Sequence, residues 1–304
     1  MGRNESGAGW RSAQEIFHGV MIRLESIDGK YVNFPEGWDD LSASQSRFVF
    51  RTFERCLKDG GSPLEFSVRV LLKILGIKAR RIPRACYDDY GEKAYLMIEN
   101  RLGFLFDESS NIARLSFKSL SNPMPRIGLR RGPDFLCRNL TFGEFRHAAM
   151  AVKMFAETGS EEHLDECVAI LYRLPALWEN KAGRHAASLG GSAFRLERFL
   201  SRHTSGWRKQ LALAWFCYTL DYLQRGTIII DGEEIKMSLL FDGGASKGPG
   251  CTWNDLLIQL AKDGAIGSIS DVDDEPLFSI FQILWSNYKE YKRYEATSKA
   301  NQRK

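Results

Sequence analysis

Between Leu140 and Leu174 the chain reads LTFGEFRHAAMAVKMFAETGSEEHLDECVAILYRL, and its apolar residues return at three- and four-residue steps. Phe142, Phe145, Ala149, Val152 and Phe155 share one helical face, and Leu164, Cys167, Val168 and Leu171 share another. Thr141 and Glu144 have capping-box spacing at the first helix, and Thr158-Gly159-Ser160 stops it and caps the second. Helices joined by so short a connection lie antiparallel. The polar residues of this hairpin, His147 and His163 included, are expected to face solvent or bond locally.

Similar signals recur along the chain. Ser42 and Gln45 form a box before Phe48, Phe53, Cys56 and Leu57, and Gly60-Gly61 ends that helix. Ser62-Pro63-Leu64-Glu65 opens the next, which carries Leu64, Val68, Leu71, Leu72 and Leu75 at helical spacing until Gly76. Further helices are predicted over Ser12–Phe17, Glu92–Phe106, Ser192–Arg202, Trp207–Arg225 (buried along most of its length), Thr252–Lys262 and Pro276–Tyr294, with short extended pieces around Ala113–Phe117. Asp28-Gly29 and Asp231-Gly232, each between apolar runs, predict two small hairpins. The expected fold class is mainly α: a multi-helix bundle of antiparallel helical hairpins with one or two small β-hairpins. Residues 1–9 read as a leader. SNPMPRIGLRRGPDFL places three prolines in eleven residues, so no helix runs through it. The expected division is an N-terminal helical region (1–120), a Pro/Arg-rich connector (121–139) and a C-terminal helical domain (140–304).

Composition narrows this picture. At 304 residues, 44% hydrophobic and 26% charged, the chain has the make-up of an ordinary globular protein. Its six cysteines are widely spaced and never C-x-x-C, a pattern of reduced, mostly core thiols. No apolar segment of a secretory signal opens the sequence, and the longest apolar run, Leu211–Leu220, is half the roughly 20 residues a membrane span requires. A soluble, cytosolic protein without a membrane partner is the expectation. The formal charge of +4 is uneven: Gly76–Leu140 holds twelve Lys or Arg against seven Asp or Glu.

Candidate chemistry is sparse. Cys137, His147, His163 and Cys167 lack the two short-spaced ligand pairs of a structural zinc site, so no metal is expected. GGASKGPG (Gly243–Gly250) does not match a phosphate loop, and reads as a flexible loop. The doublets Asp39-Asp40, Asp88-Asp89 and Asp273-Asp274 are not catalytic dyads, because neighbouring helical residues diverge. No nucleophile, zincin or dinucleotide motif appears, so neither catalytic residues nor a cofactor are assigned. Two binding readings are left. Tyr172, Arg173 and Trp178 are of the types that dominate protein interfaces. Lys78, Arg80, Arg81 and Arg84, together with Arg126, Arg130 and Arg131, form basic patches suited to a nucleic-acid backbone, and Tyr288–Glu295 interleaves tyrosines with basic residues.

PEGWDDLSASQ (Pro35–Gln45), RRGPDFLCRNLTFGEFRHA…LDECVAILYRL (Arg130–Leu174) and TWNDLLIQLAKDGAIGSI (Thr252–Ile269) together resemble uncharacterised helical proteins encoded in phage and prophage regions of Bacteroidetes-type bacteria. The resemblance covers about half the chain. It implies a virion or tail-assembly role and carries over no catalytic residue. The combined expectation is a non-enzymatic protein that binds other proteins, phage structural components or itself among them, through helical surfaces. Nucleic-acid binding is the alternative.

Overall fold

Caps and turn glycines set where the helices start and stop. The computed structural model describes residues 22–25, 31–60, 63–74, 76, 101–106, 115–175, 189, 192–230, 232–241, 253–262 and 266–302. Ten α-helices and three two-stranded antiparallel ladders among them make the fold mainly α. By its internal packing the chain divides into two units, 1–124 with 205–215, and 125–204 with 216–304.

In the first unit, β1 (Ile22–Glu25) pairs with β2 (Tyr31–Phe34), placing Ile22 opposite Phe34. Helix α1 (Ala43–Lys58) opens on the expected box: Ser42 N–H donates to Gln45 Oε1 at 2.8 Å, and Gln45 N–H to Ser42 Oγ at 3.3 Å. Helix α2 spans Pro63–Ile74. Their buried faces match the predicted ones only in part. Val49 and Phe50 are buried in α1 while Leu57 is exposed, and Phe66, Val70, Leu72 and Ile74 are buried in α2. The aromatic rings decide this orientation. Trp38 meets Phe50 at 5.8 Å and Phe117 at 4.9 Å, and Phe66 meets Phe53 at 5.6 Å and Phe106 at 5.7 Å. Each ring buries more area than an aliphatic residue of the expected stripe. The Trp215 indole N–H donates to the Leu120 carbonyl at 3.1 Å. Of the helix expected over Glu92–Phe106, only 101–106 is described; it continues from a helical end into the 3₁₀ turn Gly103–Leu105, after which Phe106 bridges Leu115. The helix expected over Ser12–Phe17 lies outside the described residues.

The elements that follow are β3 (Arg126–Ile127), β4 (Arg130–Arg131), α3 (Phe142–Thr158), α4 (Glu161–Leu171), α5 (Ser192–Arg202), α6 (Gly206–Arg225, which spans the division), β5 (Thr227–Ile230), β6 (Glu233–Lys236), α7 (Ser238–Phe241), α8 (Trp253–Lys262), α9 (Ile269–Asp274) and α10 (Leu277–Gln302). The helical hairpin is α3–α4. Gly159, at φ +67°, closes α3 as only glycine does cheaply. Ser160 begins α4 without a side-chain capping bond, and Glu161 and Glu162 supply negative charge to that first turn instead. The predicted inner stripe of α4 is buried throughout: Leu164, Cys167, Val168 and Leu171. Helix α6 is buried along most of its length on one face, from Lys209 through Leu211, Ala212, Trp215, Phe216 and Thr219 to Leu223. Backbone pairing joins the start of α3 to that of α10: Phe142 N–H donates to the Glu275 carbonyl at 2.8 Å and Leu277 N–H to the Leu140 carbonyl at 3.0 Å.

The proline-rich stretch is not helical, and two of its features place side chains that matter below. The β3–β4 turn runs through Gly128, at φ +61°, and Leu129. The 3₁₀ turn Phe135–Cys137 then holds Leu136 and Cys137 at φ +53° and +59°, a left-handed geometry that costs about 1–2 kcal/mol per non-glycine residue. Asn139 braces this turn, its Oδ1 accepting Asp134 N–H at 2.7 Å and its Nδ2 donating to the Gly132 carbonyl at 3.3 Å.

Candidate functional site

The end of α4 brings two arginines into the interior. Past Leu171 the backbone leaves the helix, and Arg173 pairs with Arg131 of β4: Arg131 N–H donates to the Arg173 carbonyl at 2.7 Å, and Arg173 N–H returns the bond at 3.0 Å. On a strand, neighbouring side chains point to opposite faces, so Arg131 outside puts Arg130 inside. Arg130 donates from Nη1 to Ser201 Oγ and from Nη2 to Thr204 Oγ1, both at 2.6 Å. The Arg173 guanidinium stands 5.4 Å from the Phe194 ring centre, a cation–π contact. Glu197 lies among them, its Oε1 accepting Leu174 N–H at 2.9 Å. Burial pulls the Arg130 guanidinium below its usual range, and the Glu197 charge opposes that pull. A buried cation is costly without a partner, and the Glu197 charge offsets part of that cost.

Tyr172 and Arg173 therefore do not serve as contact residues. Their exposures are 0% and 1%, because the Arg131 pairing draws this end of α4 into the core. Trp178 lies outside the described residues. The basic patches change too. Lys78, Arg80, Arg81 and Arg84 lie outside the described residues, and burial of Arg130 leaves Arg126 and Arg131 as the exposed arginines of the 126–131 stretch. The Gly243–Gly250 loop and Asp88-Asp89 also lie outside.

A second polar cluster stands on α3. Arg146 grips Asp273 of α9 with two bonds, Nε to Oδ1 at 3.2 Å and Nη2 to Oδ2 at 2.8 Å; its Nη1 donates to Asn254 Oδ1 of α8 at 2.8 Å. Gly143, one turn earlier, makes room for this contact, since a Cβ there would stand 2.9 Å from that of Asp273. His147 Nε2 lies 3.2 Å from Arg146 Nη2. Burial lowers the His147 pKa, Arg146 lowers it further, and Asp273 and Glu166 work against both. His163 Nδ1 is 4.0 Å from Glu166. The polar residues of this hairpin thus divide into two kinds. Lys153 and Glu157 face solvent and Glu144 bonds locally to Thr141, as expected, whereas Asp165 is buried and Arg146 ties three helices together, contrary to that expectation. Nothing local announces the Arg146–Asp273 pair, whose members stand 127 positions apart.

Of the described cysteines Cys137 and Cys167 are buried, Cys56 is intermediate and Cys217 exposed. Burial pushes the Cys167 thiol well up, away from the reactive thiolate. Among the described residues no group of three His, Cys, Asp or Glu side chains is placed to hold a metal ion. No described helix is long and apolar enough to cross a membrane.

This unit exposes several large apolar side chains beside arginines. Leu129, at the tip of the β3–β4 turn, is 81% exposed. Helix α5 buries Phe194, Glu197 and Ser201 but exposes Leu196 at 50% and Phe199 at 57%, one turn apart and next to exposed Arg195 and Arg202. The rings of Phe199 and His203 lie 4.4 Å apart. Comparison with protein-family models, with curated proteins and with solved structures gives no match.

Proposed function

We propose that this chain is a non-enzymatic interaction protein, a phage or prophage structural or assembly factor of the tail-associated kind, that binds another protein through helical surfaces. The phage setting follows from the resemblance of its three quoted stretches, and the exposed side chains supply the means of binding. One observation carries the reading: Arg130 reaches from the β3–β4 turn to Ser201 and Thr204 at the end of α5, bolting together two elements that expose large apolar residues. Leu129, Leu196 and Phe199 are held on ordered backbone, so a partner covering them loses little conformational freedom. Arg126, Arg131, Arg195 and Arg202 around them match the enrichment of arginine and aromatic residues in interfaces.

Co-expression with the products of neighbouring genes, followed by native mass spectrometry, tests this. A defined complex is expected, and Leu196→Ser with Phe199→Ser should weaken it at least about tenfold, as loss of a central anchor does. A protein that stays strictly monomeric beside every neighbour, or a complex indifferent to both substitutions, overturns the proposal.

A further inference from the structure

Helix α10 is 26 residues long, and its two halves differ. Leu277, Ile280 and Phe281 are fully buried, whereas Tyr291 and Tyr294 are 46% and 77% exposed. The transition is anchored on β6, where Glu233 Oε2 accepts the Trp285 indole N–H at 2.6 Å and Lys289 Nζ at 2.8 Å. Beyond it, Trp285, Tyr288, Tyr291 and Tyr294 recur every three residues. Trp285 and Tyr288 stack with ring centres 5.4 Å apart and planes at 13°. Lysines lie between the rings: Lys289 is 5.6 Å from the Trp285 ring centre, and Lys292 is 5.7 Å from Tyr288 and 5.9 Å from Tyr291. From Trp285 to Lys304 six basic residues face two acidic ones, Glu290 and Glu295. Glu295 pairs with Lys292 at 3.1 Å and Lys299 at 2.6 Å, both in exposed positions where such pairs contribute little. The Arg293 guanidinium has no partner among the described residues.

We infer that this half of α10 binds single-stranded nucleic acid, with the tyrosines stacking on bases and Lys292 and Arg293 contacting phosphates. The spacing separates this occupant from a partner helix. A helical seam alternates steps of three and four residues and so stays on one side. A uniform step of three drifts about 60° each time, taking Tyr294 about half a turn from Trp285. A rigid partner helix cannot follow that drift, but a flexible strand can wind along it. Aromatic platforms interleaved with cations are what sequence-tolerant single-strand binding uses.

Fluorescence polarisation of labelled oligothymidylate and oligouridylate, each about twenty nucleotides long so as to exceed a typical site, tests the inference on the full-length chain. Binding is expected to weaken steeply between about 50 and 200 mM salt, to quench Trp285 fluorescence and to exceed binding of a duplex. Tyr291→Ala with Tyr294→Ala should weaken it about tenfold or more with an unchanged circular dichroism spectrum. Lys292→Ala with Arg293→Ala should make the logarithmic salt slope shallower by about 1.4, for two single-strand phosphate contacts. Absence of binding at low salt, equal affinity for duplex, or insensitivity to either pair of substitutions overturns the inference.

Discussion

The end of α4 and the outer half of α10 look alike in sequence, each joining tyrosine to basic residues, yet Tyr172-Arg173 is sealed inside while Tyr291 to Tyr294 stands in solvent. The difference lies in what the rest of the chain supplies. At Arg173 there is a strand edge to take the backbone and a Phe194 ring to take the guanidinium's face, and the Glu197 charge acts on buried Arg130 nearby. Tyr294 is 77% exposed, and among the described residues Lys292 and Lys299 beside it pair with Glu295 of their own helix. A desolvated charge must find its partners in the fold, whereas a charge left in water needs none. One segment therefore sets stability, and the other is free for binding.

Breaking the inner region should give the largest effect. Glu197→Ala leaves the buried Arg130 guanidinium without the carboxylate charge that opposes its desolvation and the Leu174 N–H without its acceptor, and a loss of about 3–5 kcal/mol is expected in urea unfolding. A loss under about 1 kcal/mol would mean that water reaches the arginines. Gly143→Ala comes next, since its methyl meets both the Asp273 side chain and backbone; about 1–3 kcal/mol should be lost, with Arg146 displaced from its two-bond grip.

Acidification is a smaller and reversible probe. The folded-state pKa of His147 lies below its ordinary value, so the unfolded chain binds the extra proton first. The contribution of the neutral ring is fully present above the ordinary histidine range near 6.5 and is lost as pH falls from there toward the folded value. Thermal unfolding followed from pH 8 downward should show this decline, and His147→Gln should flatten it. The Tyr291→Ala, Tyr294→Ala pair belongs at the bottom of the scale. Its stability should stay within about 0.5 kcal/mol of the parent while binding falls, the reverse of Glu197→Ala.

The elements were legible in the sequence because their signals are local. The α3–α4 hairpin, the Ser42 and Thr141 caps, the β5–β6 pairing and α5 follow from spacing within a few residues. Helix ends were less so: α10 runs to Gln302 rather than Tyr294, because its outer turns are polar and present no apolar period to follow. Faces were legible in part: Phe53 and Leu72 of the expected stripes pack inward, whereas Leu57 is exposed and Val49 and Phe50 are buried beside Trp38 and Phe117. The polar clusters were illegible. Arg130 with Ser201, and Arg146 with Asp273, are separated by 71 and 127 positions, and no pattern of spacing encodes such a meeting.

The order of residues, taken alone, determined that this chain is mainly helical, where most helices begin, and that its chemistry-bearing residues form no motif. Only the tertiary structure decided which arginines are interior and which aromatics are exposed. Periodicity and capping act between neighbours along the chain, whereas the burial of a charge or a ring depends on which distant groups arrive to pair with it or cover it.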